Sequence, residues 1–228
     1  MTARLPHRAF LALAGAQPNR SALHGTYIRL SAGELAHQAL QTATVLAERG
    51  ISLGDAVGVS IHDPARCIPA VLGVLVAGAC CIPLTEGLPA RRRQSLLCNH
   101  GARVLLTDRP QPRTSTTTDP TPLHGDDPYD VAPTWSVAQL PLVLCRGAEP
   151  LRLTPARRPG RIAWIYPPER RPADPAQILT HRDVARAAER LTARRDRPRQ
   201  VRLLIPNSSP LWPYAVLPAL ANGIPLLT

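Results

Sequence analysis

The chain has 228 residues, 44% of them apolar, so it can bury a real core and is not a disordered chain by composition. All 27 basic residues are arginine, against 16 acidic ones, and the net charge of +11 suits an acidic partner. Aromatic residues make up only 4% and no helix-turn-helix or zinc-finger spacing occurs, which counts against a nucleic-acid module with a stacking platform.

Arg4 and Arg8 precede a short apolar stretch at 10–16, but Gln17-Pro18 follows at once, so this reads as a surface helix rather than a leader. Ser31-Ala32-Gly33-Glu34 has the spacing of a capping box, and Leu35, Ala39, Val45 and Leu46 continue at helical intervals to a stop at Gly50. Gly54-Asp55 turns the chain into a strand at 56–61. A helix from about 66 to 76 follows, with Pro69 tolerable only in its first turn. Gly78 ends it, 79–84 is a strand, Pro89 opens a third helix ending near Gly101, and 103–107 is the next strand. The apolar run 68–84 is bracketed by Pro69 and Pro83 and broken by Gly78, so it reads as a buried helix and strand, not a membrane span.

Residues 109–134, rich in threonine and proline, predict a mobile loop; 140–145 reads as a further strand and 146–160 as loop. A strand at 161–166 leads to a helix at 180–195, capped by Thr180 with Asp183 in its first turn. Val184, Ala187, Ala188 and Leu191 form its apolar stripe, and Arg182, Arg186, Arg190 and Arg194 line another side. A strand at 201–205, a helix at 211–221 and a short strand at 224–227 complete the pattern. Helices alternating with short apolar strands predict an α/β fold with a mostly parallel sheet flanked by helices. The breaks predict a front subdomain over 1–160 and a partial second subdomain over 161–228.

Cys67, Cys80, Cys81, Cys98 and Cys145 are odd in number, lie mostly in apolar runs and lack metal-ligand spacing. They read as reduced, buried thiols of a cytoplasmic protein.

Several stretches, in order, resemble the adenylate-forming superfamily, above all adenylation domains of nonribosomal peptide synthetases. Phe10, Ala14, Pro18 and Ala22-Leu23 match its opening helix and turn, and Arg49-Gly50 with Gly54-Asp55 its glycine–aspartate turn. Leu75-Val76-Ala77-Gly78-Ala79-Cys80-Cys81-Ile82-Pro83-Leu84 looks like its "L-x-A-G-x-x-Y-V-P-L" motif. The helix after Pro89 and the strand before Thr107 also resemble their family counterparts. The resemblance implies the N-terminal subdomain of such enzymes and an incomplete second subdomain, so the chain reads as a truncated adenylation domain.

In active members a glycine-rich phosphate loop joins a tyrosine to a threonine–histidine pair. Here Tyr166 and Thr180-His181 keep that separation, but Pro167, Pro168, Glu169, Arg170, Arg171, Pro172 and Pro175 lie between them, with no glycine and no lysine. Glycines let backbone N–H groups surround phosphate oxygens, whereas proline lacks the N–H and fixes φ. An exposed, irregular loop without an amide nest is therefore expected from Tyr166 to Gln177. No catalytic residue, metal ligand or cofactor is assigned; Asp126-Asp127 reads as solvated and His181 as structural.

The resemblance and the altered segment lead to the expectation of a non-catalytic auxiliary protein of nonribosomal peptide or related biosynthesis, and the arginine bias to a bacterium with a GC-rich genome. Its expected partner is a second copy of itself, a synthetase or a tailoring enzyme. Leu211, Trp212, Tyr214, Val216, Leu217 and Leu220 form the candidate interaction surface, on the expectation that their helix is left uncovered. Two alternatives stand beside this: the front piece of a split adenylating enzyme, using ATP and magnesium with a complementing chain, and an arginine-rich module for nucleic acid or other anions.

Overall fold

Two sheets organise the protein, each built from strands far apart in the chain. The computed structural model describes residues 5–25, 28–85, 87–108, 136–139, 162–167, 175–193, 196 and 198–228. The first elements are α1 (Pro6–Ala16), β1 (Ser21–His24), β2 (Arg29–Ser31) and α2 (Ala32–Glu48). Next come β3 (Ala56–Ser60), α3 (Pro64–Val76), β4 (Cys80–Pro83), α4 (Ala90–Asn99), β5 (Ala102–Thr107) and β6 (Ser136–Gln139). The last are β7 (Ile162–Tyr166), β8 (Gln177–Thr180), α5 (His181–Ala193), β9 (Val201–Arg202), α6 (Trp212–Ala221) and β10 (Leu226–Leu227).

The larger sheet has the order β6-β5-β3-β4-β7-β8. Its four inner strands are parallel, and β6 and β8 close the two edges antiparallel. Side chains alternate between its faces. Val57, Val59, Cys81, Val104, Leu106, Trp164 and Tyr166 face the main core, while Ala56, Cys80, Ile82, Leu105 and Ile165 face Leu96 and Leu97 of α4. Because both faces are covered, these strands read as continuous apolar runs rather than as alternating ones. The smaller sheet, β2-β1-β10-β9, pairs β1 antiparallel with β2 and parallel with β10.

Local signals form the helices where expected. At the start of α2 the Ser31 hydroxyl accepts the Glu34 N–H at 3.2 Å and the Glu34 carboxylate accepts the Ser31 N–H at 2.7 Å. Gly78, at φ +77°, ends α3 in a conformation that an L side chain resists. Nearly every residue of α3 is buried, since it lies between α2 and the sheet.

Three expectations need correction. The helix expected from 66 begins at Pro64, capped by Asp63, so Pro69 sits past the first turn. Its missing N–H leaves the Ala65 carbonyl without an i+4 donor, a loss that the packing of the buried helix outweighs. The division at residue 160 separates strands that the sheets join: β7 and β8 complete the larger sheet, while β9 and β10 extend the sheet begun by β1 and β2. Breaks in composition follow the chain, whereas strand pairing is not local. The strand expected over 201–205 is only Val201–Arg202. The expected loop at 109–134 and strand at 140–145 lie outside the described residues.

Cys67, Cys80, Cys81 and Cys98 are buried; Cys145 lies outside the described residues. Among the described residues no helix is long and apolar enough to cross a membrane.

Candidate functional site

β7 and β8 flank the segment in which the sequence lacks the glycines and lysine of the family it resembles. Tyr166 pairs with Gln177 and Ile165 with Ile178, so the two ends of the intervening segment are held side by side. Both Tyr166 and Gln177 are therefore strand residues rather than members of an irregular loop. Tyr166 and Pro167 are buried, and Pro175 is exposed. Pro168, Glu169, Arg170, Arg171 and Pro172 lie outside the described residues.

The Tyr166 hydroxyl is buried without a hydrogen-bond partner among the described residues. Burial pushes its ionisation well up, reinforced by Cys81 and Cys67, so it stays a neutral phenol. Thr180 and Asp183 cap α5 reciprocally. The Thr180 N–H and hydroxyl donate to the Asp183 carboxylate at 2.9 and 2.7 Å, and the Asp183 N–H donates to the Thr180 hydroxyl at 3.3 Å. The two bonds from Thr180 hold the Asp183 carboxyl below its ordinary range. His181 is buried against His7 of α1, their ring centroids 5.4 Å apart. Burial, with His181 and Arg8 nearby, lowers His7 to about 3, so it packs as a neutral imidazole. His181 thus lies where α5 packs against α1.

Two contacts at the carboxyl ends of the parallel strands escaped the sequence reading. Asp108, just past β5, accepts the His62 backbone N–H at 2.8 Å and lies 3.0 Å from its Nδ1, joining the ends of β3 and β5. Asn207 donates to the Ile61 carbonyl and to Cys67 Sγ, both at 3.0 Å, tying the segment after β9 to the end of β3. The only sequence signal for either is a polar residue next to an apolar strand, and nothing local names its partner. Burial pushes the Cys67 thiol up to about 12 and moves Cys80 and Cys81 the same way, so none is a thiolate nucleophile. Among the described residues no group of three His, Cys, Asp or Glu is placed to hold a metal ion.

The Asp108–His62 contact makes a pH prediction. Burial raises the Asp108 carboxyl, but the bonds from His62 outweigh it and the net shift is downward. A depressed carboxyl stabilises the fold above the unfolded value of about 3.9, and this stabilisation is lost as pH falls through the folded value. Asp108→Asn is expected to lower the urea midpoint at neutral pH, with the gap to the parent closing below about pH 4. A gap independent of pH would exclude this linkage.

The candidate interaction surface is corrected by the packing of α6. Trp212, Val216, Leu217 and Leu220 are all buried and belong to the main core; Tyr214 is half-buried, and Leu211 alone of the six is exposed. The helix is covered by α1 and α5, because β10 inserts between β1 and β9 and draws α6 over the core. The argument for association from an uncovered α6 falls with that packing.

Comparison with known proteins agrees with this architecture. The family model described as AMP-binding enzyme matches residues 10–144. Pyochelin synthetase PchE of Pseudomonas aeruginosa is 39% identical over 112 residues, which cover 49% of this chain and 8% of that protein. The solved nonribosomal peptide synthetase FmoA3 superposes over 98% of this chain and 22% of its own, with a TM-score of 0.70 at 28% identity. The N-terminal subdomain of NpsA from Klebsiella oxytoca, solved in complex with anthranilyl-AMSN, shares the fold over 97% of this chain and 53% of its own. Its TM-score is 0.68 at 21% identity. The chain therefore spans a small part of the synthetases it matches and has the architecture of an adenylation domain's N-terminal subdomain. On the family match and the shared fold, this chain belongs to the AMP-binding enzyme family.

Proposed function

We propose that the chain serves nonribosomal peptide or related natural-product biosynthesis as a non-catalytic relative of adenylation domains, acting through protein contacts. One observation carries the reading. Between Tyr166 and Thr180-His181, where the relatives it resembles hold phosphate, four prolines and Glu169 replace the glycines and lysine. Backbone amides are the main phosphate ligands of such loops, and each proline removes one. Arg170 and Arg171 supply charge without that cradle. The buried thiols and the neutral His7 add no alternative chemistry nearby. The similarity to PchE and FmoA3 supports the biosynthetic setting.

Transplanting residues 166–181 into an active adenylation domain tests the loop directly. Amino-acid-dependent pyrophosphate exchange is expected to fall about 100-fold or more, the scale on which lost phosphoryl stabilisation acts. The purified chain itself is expected to stay at background with a panel of amino and aryl acids. Exchange retained by the transplant, or robust exchange by the chain that disappears in Arg170→Ala/Arg171→Ala, would overturn the reading.

A further inference from the structure

Resting on the protein-contact half of that reading, we propose that the exposed face of α5 docks an acidic helical surface of a partner protein. Arg182, Arg186 and Arg190 recur every fourth residue and are all exposed. None of the three forms an ion pair with a described residue; Asp183, whose carboxyl feels Arg186 and Arg182, is bonded to Thr180 instead. Like charges at this spacing oppose helix formation, and Arg182 lies in the first turn, at the positive end of the helix dipole. The fold does not require this cost, because His181, Val184, Ala185 and Ala188, with Leu191 partly buried, seat α5 on the core. The stripe therefore answers to something outside the chain.

Its geometry favours protein over nucleic acid. Residues four apart on a helix rise about 6 Å, so a facing helix with carboxylates every fourth residue meets the stripe in register. Each guanidinium can take a carboxylate through two parallel N–H donors. Glu189 is also exposed and borders the same face, about 20° from Arg182 on the side away from Arg186. A uniform polyphosphate would repel it, whereas a protein surface can set a cation opposite. No aromatic side chain in α5 offers a platform for a base.

The test uses the full chain and a helical peptide of about 20 residues bearing glutamate at every fourth position. A glutamine version of the peptide and a duplex DNA serve as comparison probes, with binding read by fluorescence anisotropy. The glutamate peptide is expected to bind and the glutamine peptide not. Arg182→Gln/Arg186→Gln/Arg190→Gln should weaken binding about tenfold, and rising salt should weaken the parent's binding. The charge-matched Arg29→Gln/Arg199→Gln/Arg202→Gln, all at exposed positions, should keep it. Equal losses in both triple variants would reduce the effect to net charge and overturn the proposal. Duplex DNA binding more tightly than the peptide, through the same three arginines, would overturn it in favour of nucleic acid. The exchange assay reads the loop and this titration reads α5, so either result can fail alone.

Discussion

Gly73→Ala is expected to destabilise the protein by about 2–3 kcal/mol, the cost of overpacking a close contact. A β-carbon added at Gly73 would lie 2.3 Å from Thr42 Cβ, 2.4 Å from its methyl and 2.8 Å from the Ala39 carbonyl oxygen. These atoms cannot move aside cheaply. Thr42 is fully buried, its hydroxyl donates to the Gln38 carbonyl at 2.9 Å, and Ala39 is α2 backbone. On an exposed helix the same substitution would gain about 1 kcal/mol from alanine's propensity, so the sign itself is diagnostic. Urea denaturation measures it, and Thr42→Gly should recover part of the loss in the double variant. A Gly73→Ala protein as stable as the parent would mean that α2 and α3 do not approach this closely.

Trp212→Ala is expected to cost about 3–5 kcal/mol and to leave the mass in solution unchanged, because a large buried side chain is removed from the chain's own core. Trp212 is 2% exposed and packs in the cluster that also holds Phe10, Val216 and Leu217. Leu211, its neighbour, is 64% exposed, and Leu211→Ala should change stability by no more than about 0.5 kcal/mol. Chemical denaturation with light scattering separates the two possible roles of the tryptophan. If Trp212→Ala kept its stability but dissociated an oligomer, the residue would belong to an interface after all.

Several elements were legible because their determinants lie within a turn of the chain. The capping box of α2 needs only Ser31 and Glu34, the stop of α3 only Gly78, and the cap of α5 only Thr180 and Asp183. The stripe seating α5 was nearly right: Val184 and Ala188 are buried as expected, but Ala185 takes the place given to Ala187. That shift is a small rotation, set by the neighbouring α1 and α6. α3 starts ahead of the expected residue 66 because the Asp63 cap sets its first turn and the buried helix tolerates Pro69 beyond it.

The candidate site divides in the same way. The absence of glycine and lysine between Tyr166 and Thr180 is a property of residue types and needs no coordinates. The pairing of Tyr166 with Gln177 needed the sheet, as did the clasp of His62 by Asp108, 46 residues apart. So did the bond from the Arg20 guanidinium to the Gly223 carbonyl, which spans 203 residues.

By itself the sequence determined the alternation of helices and strands, the family resemblance and the proline-rich, glycine-free segment between Tyr166 and Thr180. Each depends on residue type, spacing and contacts within about four residues. Only the tertiary structure decided the strand order, the two antiparallel edges and the burial of α6. Those follow from pairing and packing between segments distant in the chain. An apolar helix such as α6 carries no mark of whether its cover comes from its own chain or from another; β10, inserted between β1 and β9, supplies it from within.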